Sequence, residues 1–202
     1  AFKPQSQDEA CSRIAPLKPP YMLHVGSNAW YKNRLGVLAI FLKLRKSRPE
    51  LKLAFVGPPD AELQAEIDKN MLGSGVVFVH DITDEKLEAL YSAAEALIFP
   101  SWEEGFGWPI AEAQACGCPA FISDRAPMTE VGGEAAVRFP PAPSEHEQWD
   151  DWAATCAKII LKGLDRRGAI AEAGLKNAKR FAPELMVQQY IASYRRLLNS
   201  HP

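Results

Sequence analysis

Short apolar runs alternate with helical patterns along the first two-thirds of this chain of 202 residues. The runs are too short for helices, and several end at glycine or proline, which is typical of strands. Because they are continuously apolar, they predict strands covered on both faces, as in a parallel sheet. The sequence therefore predicts an α/β fold with a doubly wound, Rossmann-like parallel sheet. The predicted strands are Tyr21–Val25, Leu51–Val56, Val76–Val79, Ala96–Phe99, Pro119–Ile122 and a sixth at Ala135–Phe139.

Helical patterns separate these strands and continue beyond them. The predicted helices are Asn33–Ser47, Ala61–Met71, one beginning at Thr83 as N-cap, Trp108–Cys116, Glu145–Leu161, Arg167–Phe181 and Glu184–Leu198. Residues 1–20 show no periodicity and end in two prolines, which indicates a linker. We expect residues 21–142 to form the Rossmann-like core and residues 143–202 to form helices that pack on the same domain.

Composition excludes several classes of protein. The net charge is -2 and the pI is about 6.1, which argues against a nucleic-acid binder. No apolar run approaches the roughly 18 residues of a membrane span, and residues 1–20 do not resemble a signal peptide. The four cysteines fit neither a zinc pattern nor a redox pair, so we expect buried, reduced thiols and a cytoplasmic location.

The segment that follows the fourth strand carries the strongest site signal. Glu104 and Glu112 are spaced E-x7-E across a glycine loop and the start of a helix. Gly105 and Gly107 flank Phe106 and let the backbone approach a ligand, while the helix N-terminus offers free N–H groups to a phosphate. Two carboxylates aimed at a diphosphate would repel it. They fit a nucleotide sugar only if they accept hydrogen bonds from its hydroxyl groups. We therefore interpret the pair as ligands of a sugar and a ribose. The alternatives, which we rank lower, are a favourable charge at the helix start for Glu104 and a position on a solvated helix face for Glu112.

The loop after the first strand is a second candidate. It contains Gly26, Ser27 and Asn28 and reaches Lys32, whose charge could neutralise a leaving diphosphate at the ligand edge of the sheet. The loop lacks the G-x-G-x-x-G pattern of dinucleotide-binding folds. From this segment alone, an ordinary surface lysine is an equal alternative.

Two further loops lie at the same predicted edge. After the third strand, His80 and Asp81 precede Thr83, and their backbone could read a nucleotide base. A histidine satisfied at a strand end is the alternative for His80, and Thr83 is better explained as a helix cap. After the fifth strand, Glu130 either caps its loop or contacts the substrate.

Several segments of the sequence resemble a known family. The segment SWEEGFGWPIAEAQACGCP (101–119) resembles the signature of the group 1, family 4, retaining glycosyltransferases, which have the two-domain GT-B fold. The segments LHVGS (23–27) with Lys32-Asn33 downstream, VFVHDITDEKLEALY (77–91), TEVGGEAA (129–136) and KRFAPE (179–184) resemble other parts of the same family. The similarity covers about residues 21–198.

The resemblance implies a role for each site residue. Glu104 would lie at the hydroxyls of the donor sugar, Phe106 and Gly107 would offer backbone amides, and Glu112 would hold the ribose diol. Lys32 would stabilise the leaving diphosphate, with no metal ion required. The reaction would move a sugar from a nucleoside diphosphate to an acceptor hydroxyl with retention at the anomeric carbon.

Two departures from the family qualify this expectation. Arginines common in the family are replaced by Ser27 and Tyr31, which leaves Lys32 as the basic group, with Arg34 as a possible substitute. Full members are about twice as long, because an N-terminal domain binds the acceptor and completes the cleft. We therefore expect a donor-binding half that is inactive alone, preceded by the linker at residues 1–20 and able to associate with a membrane surface in a full-length protein. The alternatives are a non-catalytic nucleotide-sugar-binding or partner-binding module and a generic α/β interaction domain.

Overall fold

A computed structural model describes residues 2–80 and 82–199 of the chain. Asp81 of the predicted base-reading loop and residues 1 and 200–202 of the predicted terminal segments lie outside the described residues. Within the described part, six parallel strands form one sheet in the order β3-β2-β1-β4-β5-β6. They are β1 Tyr21–Val25, β2 Lys52–Val56, β3 Val76–Val79, β4 Ala96–Phe99, β5 Ala120–Ser123 and β6 Val137–Phe139.

Helices cover both faces of the sheet, as the doubly wound prediction requires. The helices are α1 Gln7–Arg13, α2 Arg34–Ser47, α3 Ala61–Lys69, α4 Asp84–Ala93, α5 Trp108–Ala115, α6 Met128–Gly132, α7 Trp149–Leu164, α8 Arg167–Ala178 and α9 Pro183–Asn199. Short 3-10 turns lie at Trp30–Lys32 and Lys179–Phe181. On one face α2 packs against α7, and on the other α1 packs against α4 and α5 against α8.

The core consists of two apolar layers separated by the sheet. Successive strand residues point to opposite faces, so Leu23 and Leu97 join one layer while Met22 and Ile98 join the other. All four side chains are fully buried. The continuous apolar strands are thus explained by burial on both faces, and the predicted fold class is confirmed.

The N-terminal segment differs from the sequence expectation. Ser6 caps α1 by accepting a hydrogen bond from the Glu9 N–H, and Ala10, Ile14 and Leu17 are buried in the layer that contains α4. A helix of seven residues has too few turns to show a clear periodicity, which is why the sequence indicated only a linker. Residues 7–17 are packed on the domain, and a connection to a preceding domain stays a prediction.

The strands β1, β3 and β4 have the predicted bounds, and the other remaining elements shift by a few residues at their ends. The strand β6 is two residues shorter at its start. The predicted helix Glu145–Leu161 begins at Trp149 and continues to Leu164, with Trp152 buried and Trp149 only half-buried. None of the helices formed by the described residues combines the length and apolar composition needed to cross a bilayer.

Candidate active site

The topology reverses between β1 and β4. From β1 the chain runs outward to β2 and β3, and it then crosses to β4 and continues outward to β5 and β6 on the other side. Loops that leave two such neighbouring strands diverge and open a crevice at the carboxyl edge, where open α/β sheets bind ligands. The loop after β1 contains Lys32 and the loop after β4 contains Glu104.

Lys32 and Glu104 form a close ion pair across this crevice. The lysine Nζ donates to both carboxylate oxygens at 2.8 Å, although the residues are 72 positions apart in the chain. Their side chains are only 13% and 6% exposed, so the pair is largely shielded from water. Each residue therefore neutralises the charge of the other.

Asn33 and Trp102 hold the two loops in register. Asn33 adopts a left-handed conformation at φ 51°, and its Oδ1 caps α2 by accepting from the Gly36 N–H. Its Nδ2 donates to the carbonyl of Pro100 at the end of β4. The backbone N–H of Trp102 donates to the Tyr31 carbonyl at 2.8 Å. These contacts position the lysine and the glutamate independently of their own charges.

The loop that leads into α5 depends on glycine. Gly107 is the N-cap residue at φ 97°, a conformation that favours glycine, and no side chain caps the helix. Pro109 lies in the first turn, where its missing N–H costs nothing. The Phe106 ring packs on Trp108 and Phe181, at 4.6 and 5.6 Å between centroids. Its ring is thereby turned towards the C-terminal helices, and its backbone remains at the helix start.

Glu112 lies one turn further along α5 at a second part of the site. The Tyr91 hydroxyl donates to its Oε2 at 3.0 Å, a partner that the sequence reasoning missed. Burial raises the pKa of the Glu112 carboxyl above its usual value, while the Tyr91 hydrogen bond opposes this rise and the Asp84 carboxylate adds to it. A cavity of about 370 Å³ adjoins Glu112 and is lined also by Trp108, Phe2 and Phe181.

A buried histidine of β1, His24, lies beneath Gly26 at the start of the loop that follows. A Cβ on Gly26 would lie 3.0 Å from the His24 Nε2 and 3.3 Å from the Lys32 Cδ, so a larger residue would have to displace one of these side chains by a few tenths of an ångström. Ser27 and Asn28 are exposed. His24 was not singled out from the sequence, because an apolar strand gives no sign that its one polar residue faces a ligand edge.

Arg34 does not take the place of the missing family arginines. Its guanidinium is buried, and its Nη1 donates to the Asn28 Oδ1 and to the Pro58 carbonyl. The Asp60 carboxylate lies 3.6 Å away. The side chain is therefore bound between the loops that follow β1 and β2.

The remaining sequence candidates lie apart from the Lys32–Glu104 pair. His80 is exposed at the end of β3, two strands from β1, and its ring stacks on Phe78. Thr83 caps α4 by accepting from the Lys86 N–H, as predicted. Glu130 is exposed on α6. Among the described residues there is no cluster of three or more histidine, cysteine, aspartate or glutamate side chains suited to a metal ion.

The sequence that forms this sheet and site matches a family model. Residues 7–177 match the family model described as glycosyl transferases group 1. The chain belongs to the group 1 glycosyltransferases. The resemblance to the group 1 glycosyltransferases is thus confirmed, and the matched range begins upstream of the predicted one, to include α1, and ends at residue 177.

Relatives of this group 1 glycosyltransferase chain are longer than it is. It is 30% identical over 183 residues to the O-antigen chain mannosyltransferase B of Escherichia coli, covering 88% of this chain and 46% of the relative. The chain therefore spans less than half the length of this curated relative.

Solved structures agree on the fold. The pneumococcal O-GlcNAc transferase GtfA, in complex with UDP and GlcNAc, superposes with a TM-score of 0.78 at 19% identity, covering 100% of this chain and 38% of that one. The C-terminal domain of the group 1 family protein LpcC from Francisella tularensis superposes with a TM-score of 0.68 at 18% identity, covering 88% and 94%. The group 1 chain thus has the fold of one half of a GT-B enzyme.

Proposed function

We propose that this chain is the donor-binding half of a retaining glycosyltransferase, which moves a sugar from a nucleoside diphosphate to an acceptor hydroxyl. The observation that carries the proposal is the buried pairing of Lys32 with Glu104 at the crevice between β1 and β4. A cation and a carboxylate side by side suit a ligand whose charged diphosphate is joined directly to a sugar with free hydroxyls.

Donor binding would exchange the partners of this ion pair. The diphosphate would replace Glu104 as the partner of Lys32, and the freed carboxylate would accept hydrogen bonds from the sugar hydroxyls. The free N–H groups at the start of α5 would face the same phosphates. As the bond to the sugar breaks, negative charge grows on the diphosphate, and Lys32 with these N–H groups would stabilise it without a metal ion.

Glu112 would hold the ribose. Its Oε2 already accepts from Tyr91, which fixes the orientation of the carboxylate, and its Oε1 would accept from a ribose hydroxyl. Gly26 and Ser27 would border the phosphates, and the loop containing His80 would contact the base. The acceptor would be bound in part by the half of the longer relatives that this chain does not match.

The donor is tested by calorimetric titration with UDP-glucose, GDP-mannose and ADP-glucose. A mannosyl donor is included because one relative is named a mannosyltransferase. Glu112→Gln keeps an acceptor for Tyr91 and is expected to weaken binding of the preferred donor about tenfold, or about 1.4 kcal/mol, by removing a charged acceptor. Glu103→Gln, an exposed neighbour of Glu104, is the matched control and should change little.

The same titration separates the sugar from the diphosphate. Glu104→Gln frees Lys32, so we expect tighter binding of the bare nucleoside diphosphate and weaker binding of the intact donor. Chelation of divalent ions should leave both affinities unchanged. Binding of none of the three donors, or equal effects of Glu103→Gln and Glu112→Gln, would refute the donor site.

A further inference from the structure

A second cavity lies on the other side of the Lys32–Glu104 pair. It has a volume of about 430 Å³, and its lining includes Trp30, Trp102, Asp60 and Asn28. Trp30 belongs to the same 3-10 turn as Lys32, and Trp102 is two residues before Glu104. The cavity opens over the start of α2, on the face opposite to Glu112. Its size falls within the roughly 300–1,000 Å³ of small-molecule sites.

One wall of this cavity is a ledge formed by three neighbouring indoles. Trp30 is 67% exposed, and its ring lies 5.7 Å from that of Trp102, which in turn lies 6.1 Å from Trp149. The Trp102 Nε1 donates to the Ala142 carbonyl and the Trp149 Nε1 to the Pro143 carbonyl. The indole N–H groups thus hold Trp102 and Trp149 in place, and the ring of Trp30 presents an exposed apolar face.

The opposite wall is polar and already oriented. The Asp60 Oδ1 caps α3 by accepting from the Leu63 N–H, while its Oδ2 is the oxygen nearest Arg34. The Asn28 Oδ1 accepts from Arg34, so the amide NH₂ of Asn28 is left as a donor without a partner in the described part of the chain. These groups offer both an acceptor and a donor beside the aromatic ledge.

Arg34 lies beside this cavity with part of its hydrogen-bonding capacity unused. Its side chain lines the cavity and is only 3% exposed, yet its Nε and Nη2 have no hydrogen-bond partner among the described residues. A buried guanidinium normally satisfies its donors, because each unpaired donor costs free energy. Here the guanidinium lies 4.9 Å from the centroid of the Phe55 ring, and its Nε and Nη2 are closed off from solvent. Arg34 therefore places a buried positive charge beside the cavity, which would attract the oxygen atoms of a ligand.

The chemistry of the walls selects the class of ligand. Asp60 and Glu62 outnumber the one guanidinium of Arg34, so a phosphate would be repelled from this cavity. A pyranose has an apolar C–H face for an indole and a rim of hydroxyls that both donate and accept. We propose that this cavity is a second carbohydrate site, which binds a neutral saccharide separately from the nucleotide. That this saccharide is the acceptor chain rests on the proposed glycosyl transfer, whereas saccharide binding itself does not.

The test titrates the whole chain with mannotriose, maltotriose and chitotriose, followed by calorimetry and by tryptophan fluorescence. We expect millimolar or tighter binding of at least one trisaccharide, with a shift in tryptophan emission. Trp30→Ala should weaken it about tenfold, and Asp60→Asn, which retains the cap of α3, should also weaken it. Trp108→Ala removes another exposed indole, one that lines the cavity beside Glu112, and should leave saccharide binding unchanged.

Three outcomes would overturn the proposal: no binding of any trisaccharide, binding unaffected by Trp30→Ala, or equal losses in Trp30→Ala and Trp108→Ala. The last result would place the saccharide in the donor site. If the nucleotide titration fails while Trp30-dependent binding is seen, the carbohydrate site stands and only its assignment to the acceptor falls.

Discussion

At the scale of single residues, His24 shows how the sheet sets the charge of the site. Its Nδ1 lies 3.0 Å from the Ile98 carbonyl, an acceptor, so the proton of the neutral ring is on Nδ1. Burial lowers the pKa of His24 from 6.5 to about 3, the bond to Ile98 opposes this, and the nearby Arg34 and Lys32 charges add to it. The ring beneath Gly26 is therefore neutral at physiological pH.

This depressed pKa predicts a loss of stability in acid. Between about pH 6.5 and 3 the unfolded chain protonates His24 and the folded chain does not, so the free energy of unfolding falls as the pH falls through this window. The slope from this one group reaches about 1.4 kcal/mol per pH unit within the window. Urea unfolding of the wild type and of His24→Gln from pH 7 to 4 measures how the free energy of unfolding depends on pH. The variant should have the shallower slope, and equal slopes would contradict the buried neutral ring.

Single residues of the site were partly predictable. Lys32, Glu104 and Glu112 stand out because charged groups beside glycines at strand ends are unusual, and the structure brings the first two into contact. Tyr91 was not predictable as a partner of Glu112, because its place in the apolar stripe of α4 indicates only burial. A hydroxyl at the end of a buried ring leaves no trace in hydrophobic periodicity.

At the scale of elements, the close contact between α7 and the sheet depends on one glycine. A Cβ on Gly163 would lie 2.5 and 2.6 Å from two ring atoms of the fully buried Phe121. Gly168, in the first turn of α8, has no atom within 4 Å of the same position. The two helices thus offer a matched pair of glycines, one required by packing and one not.

Alanine at these two glycines should have opposite effects on stability. Gly163→Ala is expected to destabilise the fold by about 1–3 kcal/mol, because the aromatic ring cannot move aside in a packed core. Gly168→Ala should be neutral or stabilise by up to about 1 kcal/mol, because alanine restricts the unfolded chain. Thermal unfolding of both variants tests this, and similar melting temperatures for the two would show that α7 can shift on the sheet.

At the scale of the whole molecule, the N-terminal segment belongs to the domain. Ile14 is 3% exposed and lies in the apolar layer that contains α4 and α5. Lys18, four residues later, is exposed. The segment therefore covers apolar surface that the Rossmann-like core would otherwise leave open to water.

Truncation of Ile14 distinguishes a packed segment from a free linker. Ile14→Ala should lower the free energy of unfolding by about 2–5 kcal/mol, the range for removing a large side chain from a core. Lys18→Ala, the surface control, should stay within about 0.5 kcal/mol. Chemical unfolding measures both, and an Ile14→Ala effect as small as that of the control would restore the linker interpretation.

The sequence by itself determined the alternation of strands and helices, the two-faced burial of the sheet and the glycine loop before α5. These follow from periodicity and from conformational preferences that act within a few residues. Only the tertiary structure decided that α1 is packed, that Tyr91 meets Glu112 and that Trp30, Asp60 and Asn28 surround one cavity. The physical reason is that strand order brings together loops from distant parts of the chain, and no local pattern records which loops meet.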